Sequence, residues 1–140
     1  MERTHTQFTV PVKNELGQLR KLALALAREQ VVVLGLCWQA EREAGFIRFI
    51  TDQAIGAAKA LEGLGWTAVR TPVLSVPVPN KPGELARMLK LLDDGGILVD
   101  EMYGTSGSPE ACRLVLCVDK PDRAEKLLAA FAETLVLATH

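Results

Sequence analysis

The sequence predicts an α+β protein made of two tandem β-α-β-β-α-β units, each an antiparallel sheet carrying both helices on one face. Three observations lead there. The 140-residue chain matches itself at an offset of 66 to 67 residues. Apolar residues alternate in some runs, the period of strands, and recur at i, i+3, i+4, i+7 in others, the period of helices. These runs follow one another in the same order twice.

The self-match opens with Phe8-Thr9-Val10-Pro11-Val12-Lys13-Asn14-Glu15-Leu16-Gly17-Gln18-Leu19 on Leu74-Ser75-Val76-Pro77-Val78-Pro79-Asn80-Lys81-Pro82-Gly83-Glu84-Leu85. Val-Pro-Val, Asn, Gly and Leu are identical, and Leu26/Leu92 and Val33/Val99 continue it. After a one-residue slip, Asp52/Asp119, Ala57/Ala124, Lys59/Lys126, Leu61/Leu128, Thr67/Thr134 and Val69/Val136 agree. A hairpin is where such an insertion is tolerated. The copies meet near Thr71-Pro72-Val73, which predicts domains 1–71 and 72–140. No Gly/Ser linker separates them, so they are expected to be rigidly adjacent.

Each element has its own signal. In the first strand Phe8, Val10 and Val12 face one way and Gln7, Thr9 and Pro11 the other; Leu74, Val76 and Val78 repeat this. A Gly-bearing loop follows. The first helix sets Leu19, Leu22, Ala23 and Leu26 on one stripe, and its twin Leu85, Met88, Leu89 and Leu92. Gly95-Gly96 suits a left-handed helix end. The second strands, Val31 to Trp38 and Ile97 to Tyr103, lead into the turns Ala40 to Gly45 and Thr105 to Glu110 and the third strands Phe46 to Thr51 and Ala111 to Val118. The second helices turn Ala57, Ala60, Leu61 and Leu64, then Ala124, Leu127, Leu128 and Phe131, toward the sheet. Short strands, Trp66 to Arg70 and Leu135 to Ala138, close each copy. This order gives a ferredoxin-like sheet. Its second face is bare, yet Val31–Trp38 and Phe46–Ile50 are apolar on both sides. A second subunit is the expected cover, hence a homodimer.

Composition narrows function. Apolar residues make up 49%, and 16 basic side chains nearly balance 17 acidic ones for a net charge of −1. No field gathers phosphate backbones, so nucleic acid is not an expected partner. No apolar run approaches the roughly 18 residues of a membrane span, and residues 1–7 carry no apolar signal core. A soluble, cytoplasmic protein with no membrane partner is expected. Three cysteines, Cys37, Cys112 and Cys117, read as small buried hydrophobes rather than a disulfide framework. Cys112 and Cys117 point to opposite faces of one strand and cannot share a metal.

Asn80-Lys81-Pro82-Gly83-Glu84-Leu85, at the end of an alternating strand and before an amphipathic helix, resembles the loop of the ACT domain, a small-ligand regulatory module. The first copy, Asn14-Glu15-Leu16-Gly17-Gln18-Leu19, departs only in Leu16, where Pro is usual. The resemblance covers nearly the whole chain as two tandem domains. It implies binding of a free amino acid, or a similar small metabolite, between two such domains against the strand–helix loops. It further implies that backbone at the start of the second strand assists, here Val32, Val33, Leu98 and Val99. Many members regulate metabolic enzymes allosterically; this chain looks like a stand-alone tandem sensor, with such an enzyme as its partner.

The residues account for that chemistry independently. A helix N-terminus offers unpaired N–H groups and partial positive charge to a carboxylate. Gly17 and Gly83 admit unusual torsions and close backbone approach. Asn14 and Asn80 carry a donor and an acceptor; they either meet a ligand or cap their helix or turn. Asp100, where the first copy has Leu34, is either a carboxylate for a ligand ammonium or an exposed hairpin position. Lys81 in place of Glu15 either sets the two loops apart in preference or is solvated surface charge. The candidate ligand-binding set is therefore Asn14, Glu15, Leu16, Gly17, Val33, Asn80, Lys81, Pro82, Gly83, Leu98, Val99 and Asp100.

Enzyme signals are weak. His5 and His140 accompany no nucleophile or metal-ligand spacing. Gly104-Thr105-Ser106-Gly107-Ser108-Pro109 lacks the phosphate-loop pattern and joins two strands. Asp93-Asp94 has no acid–base partner nearby in sequence, and Trp38 and Trp66 read as core. No catalytic residue, cofactor or metal is expected. A ligand-free interaction or oligomerisation module, and less so a small enzyme on this fold, are the alternatives to a sensor.

Overall fold

Two units make up the computed structural model, one over Thr6–Thr71 and one from Pro72 on that also takes in the chain start up to His5; it describes residues 4–106 and 108–138. In the first unit β1 (Thr4–Lys13) pairs antiparallel with β3 (Ala44–Thr51), and β3 with β2 (Val33–Glu41). The register sets Phe8 opposite Phe49 and Val10 opposite Ile47, so one face of the sheet is apolar and continuous. The two phenylalanine rings stack with centroids 5.3 Å apart. α1 (Gln18–Arg28) and α2 (Ala54–Leu64) cover that face with Leu22, Ala25, Leu26, Ala57, Ala60 and Leu61.

The second unit repeats this. β4 (Val69–Pro79) pairs with β6 (Ala111–Val118), and β6 with β5 (Val99–Ser106), all antiparallel. Leu74, Val76 and Val78 meet Leu114, Leu116 and Val118 under Met88 and Leu92 of α3 (Glu84–Asp94) and Ala124, Leu128 and Phe131 of α4 (Pro121–Ala138). Cross-strand partners Gly104 and Leu114 are one residue farther apart in sequence than their counterparts Trp38 and Ile47. The one-residue slip in the repeat therefore lies in the second hairpin. The fold is two tandem ferredoxin-like units, as the element order predicts.

Several local expectations are corrected. Trp66–Arg70 and Leu74–Val78 are not two strands: one strand, β4, runs from Val69 to Pro79. No turn residue interrupts Val69–Val73, and the fixed φ of Pro72 is compatible with extended chain. Leu135–Ala138 is not a strand but the end of α4. The cause is a missing stop. α2 ends at Gly65 in the left-handed region, φ 71°. The matching residue of α4 is Ala132, which gains nothing by leaving the helix. The inward stripe of α1 is Leu22, Ala25 and Leu26, while Leu19 and Ala23 are exposed. The three cysteines are half-buried rather than buried. On the sheet face away from the helices Gln7, Ile50, Val73, Ser75 and Val115 are buried, whereas Phe46 is exposed.

Three helices end alike. Val31 N–H donates to Leu26 O, Trp66 N–H to Leu61 O and Ile97 N–H to Leu92 O, the six-residue closure of a left-handed cap. The left-handed residue is Gly65 in α2 and Gly96, φ 71°, after α3, but Gln30, φ 55°, after α1. A side chain there costs about 1–2 kcal/mol. Gln30→Gly is expected to raise stability by about 1 kcal/mol, and Phe49→Ala to lower it by about 3–5 kcal/mol, both read as shifts in urea-unfolding free energy.

Candidate functional site

Each strand–helix loop is built on its asparagine. In the first, Asn14 backbone N–H donates to Glu43 O at 2.8 Å and its Nδ2 to Arg42 O at 2.9 Å. In the second, Asn80 N–H donates to Glu110 O at 2.8 Å and its Nδ2 to Pro109 O at 3.0 Å. One residue thus ties the loop to two successive carbonyls of the neighbouring hairpin. Glu15 N–H then turns back to Lys13 O, and Lys81 N–H to Pro79 O, both at 2.9 Å. Neither asparagine caps its helix; the alternative of a turn-holding role is what the geometry shows. Nδ2 being the donor in both bonds, Oδ1 is the acceptor atom of each side chain.

Gly17 (φ 86°) and Gly83 (φ 90°) bring the chain into α1 and α3. A Cβ at either would meet nothing within 4 Å, so torsion and not crowding demands glycine. No side chain caps the N-terminus of α1 or α3. Their first-turn N–H groups are the partial positive charge an anion requires.

Glu15 and Leu16 are fully outside at the first loop, and Lys81 and Pro82 are exposed at the second. At the second loop a cavity of about 370 Å³ opens between Asn80, Lys81 and Pro82, the first turn of α3 at Leu85, and Cys112 and Leu114 on β6. Its volume falls in the range of small-molecule clefts.

Val33, Leu98, Val99 and Asp100 are not part of these loops. The loop end of the first sheet is where Lys13 pairs with Ala44 and Ala44 with Glu41; Val33 pairs with Thr51 at the other end. About eight strand residues, roughly 25 Å, separate the two ends. The second unit is built the same way, with Pro79 opposite Ala111 and Val99 opposite Val118. At that far end sequence reasoning missed a duplicated clamp, whose one signal is the identity of Asp52 and Asp119. Asp52 Oδ1 accepts from Val32 N–H at 3.0 Å while Asp52 N–H donates to Val32 O. Asp119 does the same with Leu98, at 2.9 Å. Both strands bulge one step on, at Leu34 and at Asp100. Val32, Val33, Leu98 and Val99 are exposed apolar residues beside these clamps. Burial, and after it the charges of Glu101 and Asp100, push the Cys117 thiol above its ordinary pKa. Among the described residues no group of His, Cys, Asp and Glu is placed to hold a metal ion, and no helix is long and apolar enough to cross a membrane.

No protein-family model matches the sequence, and no curated protein does. Solved structures do. A protein from Bacteroides thetaiotaomicron matches with TM-score 0.84 at 25% identity over 91% of this chain and 88% of that one. The ligand-free regulatory subunit of aspartate kinase from Thermus thermophilus matches with TM-score 0.70 at 19% identity, covering 94% and 93%. That from Thermus flavus matches with TM-score 0.66 at 19% identity, covering 96% and 94%. The fold is that of a tandem ACT-like protein. Both units carry Asn and Gly in strand–helix loops of one geometry.

Two outcomes follow from the loop and clamp geometry. Asn14→Ala and Asn80→Ala each lose a side-chain bond and are expected to cost about 0.5–1.5 kcal/mol by urea unfolding. Cys117 is expected to alkylate more slowly than a free thiol at pH 8, because the raised pKa leaves less thiolate; Glu101→Gln lowers that pKa and speeds the reaction, read by mass spectrometry against pH.

Proposed function

We propose that this tandem ACT-like chain is a non-catalytic regulatory protein that binds a free amino acid or similar small metabolite at its strand–helix loops. The observation carrying this is the loop itself. The start of α3, with no side-chain cap, follows directly on Asn80, Lys81 and Pro82, which line one cavity together with the apolar Leu85 and Leu114. The ligand carboxylate goes to the α3 N-terminus and Lys81, its ammonium to Asn80 Oδ1, and its side chain to Leu85 and Leu114. The regulatory-subunit neighbours support the same role. Cys112 Sγ beside the cavity bonds the carbonyls of Thr105 and Arg113 rather than a base, which favours binding over nucleophilic chemistry.

Regulation acts by population shift: a ligand that binds one loop–hairpin arrangement better favours it. That differential affinity, typically about 1–3 kcal/mol, is what a target enzyme reads. The strand starts at Val33, Leu98, Val99 and Asp100 stand at the sheet end opposite the strand–helix loop of their own unit. We propose that they complete a site only when contributed by another ACT-like domain. Exposed apolar residues in each unit, Val32, Val33 and Leu36 in the first and Leu98 and Met102 in the second, favour self-association as a homodimer and are also the specific support for an interaction-module reading.

Thermal-shift screening against the twenty protein amino acids tests the proposal. A stabilising amino acid is expected, with the shift abolished by Asn80→Ala or Gly83→Val in folded protein. No shift with any of them, alongside tight self-association in sedimentation velocity, replaces the sensor with the interaction module.

A further inference from the structure

The two loop ends differ by an exchange of one large and one absent side chain. In the first repeat Trp38 of β2 lays its indole on Gly45 of β3. A Cβ built at Gly45 would stand 2.1 Å from Trp38 Cη2 and 2.6 Å from Cζ3, so the ring rests directly on the glycine. Trp38 lies opposite Ile47 and packs half-buried against the first core. In the second repeat Gly104 stands where Trp38 does and Cys112 where Gly45 does. A Cβ on Gly104 would meet Cys112 Sγ at 3.1 Å and Leu114 Cδ2 at 3.5 Å, the two β6 residues that line the loop cavity. The second repeat thus has no side chain at the position from which Trp38 lays its indole, and the Cys112 and Leu114 side chains that face this glycine line the cavity beside Asn80, Lys81, Pro82 and Leu85.

We infer that each chain binds one ligand, at the second loop, and that Trp38 is the built-in occupant of the equivalent space at the first. The inference rests on the amino-acid-binding reading above and sharpens it. The second cavity has a cationic and amide-bearing mouth and an apolar floor, which selects an amino acid with an apolar side chain. The first loop has Glu15 in place of Lys81 and an indole resting on Gly45, and it keeps the backbone geometry of the site. The duplicated loop is then a structural mate.

Titration calorimetry of the full chain with each of the twenty amino acids reads the stoichiometry. One molecule per chain is expected for any that binds. Gly104→Trp is expected to remove the heat, and Trp38→Gly to add a second site. Gly104→Trp/Cys112→Gly rebuilds the first repeat's own pair in the second and covers the case in which the single variant misfolds, with circular dichroism confirming the fold. Two equal sites in the native chain, undiminished binding to the rebuilt variant, or one site in well-folded Trp38→Gly overturns the inference while leaving the sensor reading in place. A ligand-independent arm separates the two: iodoacetamide labelling of Cys112 is expected to fall about tenfold in Gly104→Trp, because access governs thiol reactivity. Unchanged labelling sinks the asymmetry by itself, whereas no heat from any amino acid sinks the sensor reading by itself.

Discussion

The bond between one asparagine amide and a hairpin carbonyl organises both strand–helix loops of this protein. A strand that ends and a helix that starts a few residues later need something to hold the intervening chain. Here the backbone N–H and Nδ2 of Asn14, and again of Asn80, take consecutive carbonyls of the adjacent hairpin. With the loop fixed to the hairpin, a left-handed glycine aims the chain into the helix. The N–H groups of the first turn are then left for something other than a side chain. Loop and hairpin are thereby one hydrogen-bonded body.

Duplication lets each feature be read against its twin. Features kept in both copies are those that backbone geometry requires: the Asn ties, the positive-φ glycines, the Asp52 and Asp119 clamps and the six-residue helix caps. Features that diverge are side chains lining space: Leu34 against Asp100, Glu15 against Lys81, Trp38 against Gly104, Gly45 against Cys112. Such a division suits a scaffold whose frame is held constant while its two ends take on different tasks. Gln30 against Gly96 is an exception on the frame itself, where the first copy tolerates torsional strain that the second avoids.

Much of the site is legible in the sequence because its signals are local. Asn, Gly and an amphipathic helix within a dozen residues state where a loop turns and which way the helix faces. The role of Asn80 is not legible in the same way. Its partner carbonyl belongs to Pro109, 29 residues on, and only the register of β4 with β6 brings it near. The same holds for Val33 and Leu98. Local pattern marks them as apolar strand residues, but their distance from the loops follows from the direction in which each antiparallel strand runs.

Periodicity and self-similarity by themselves determined the order of elements, the two copies and the loops worth examining, because each of those depends on neighbours a few residues apart. Tertiary structure alone decided that α4 runs on where α2 stops, that the Trp38 indole rests on Gly45 while Cys112 and Leu114 face Gly104, and which sheet end each candidate residue occupies. Those outcomes depend on volumes and registers shared between segments far apart in the chain, and no window of sequence contains both partners.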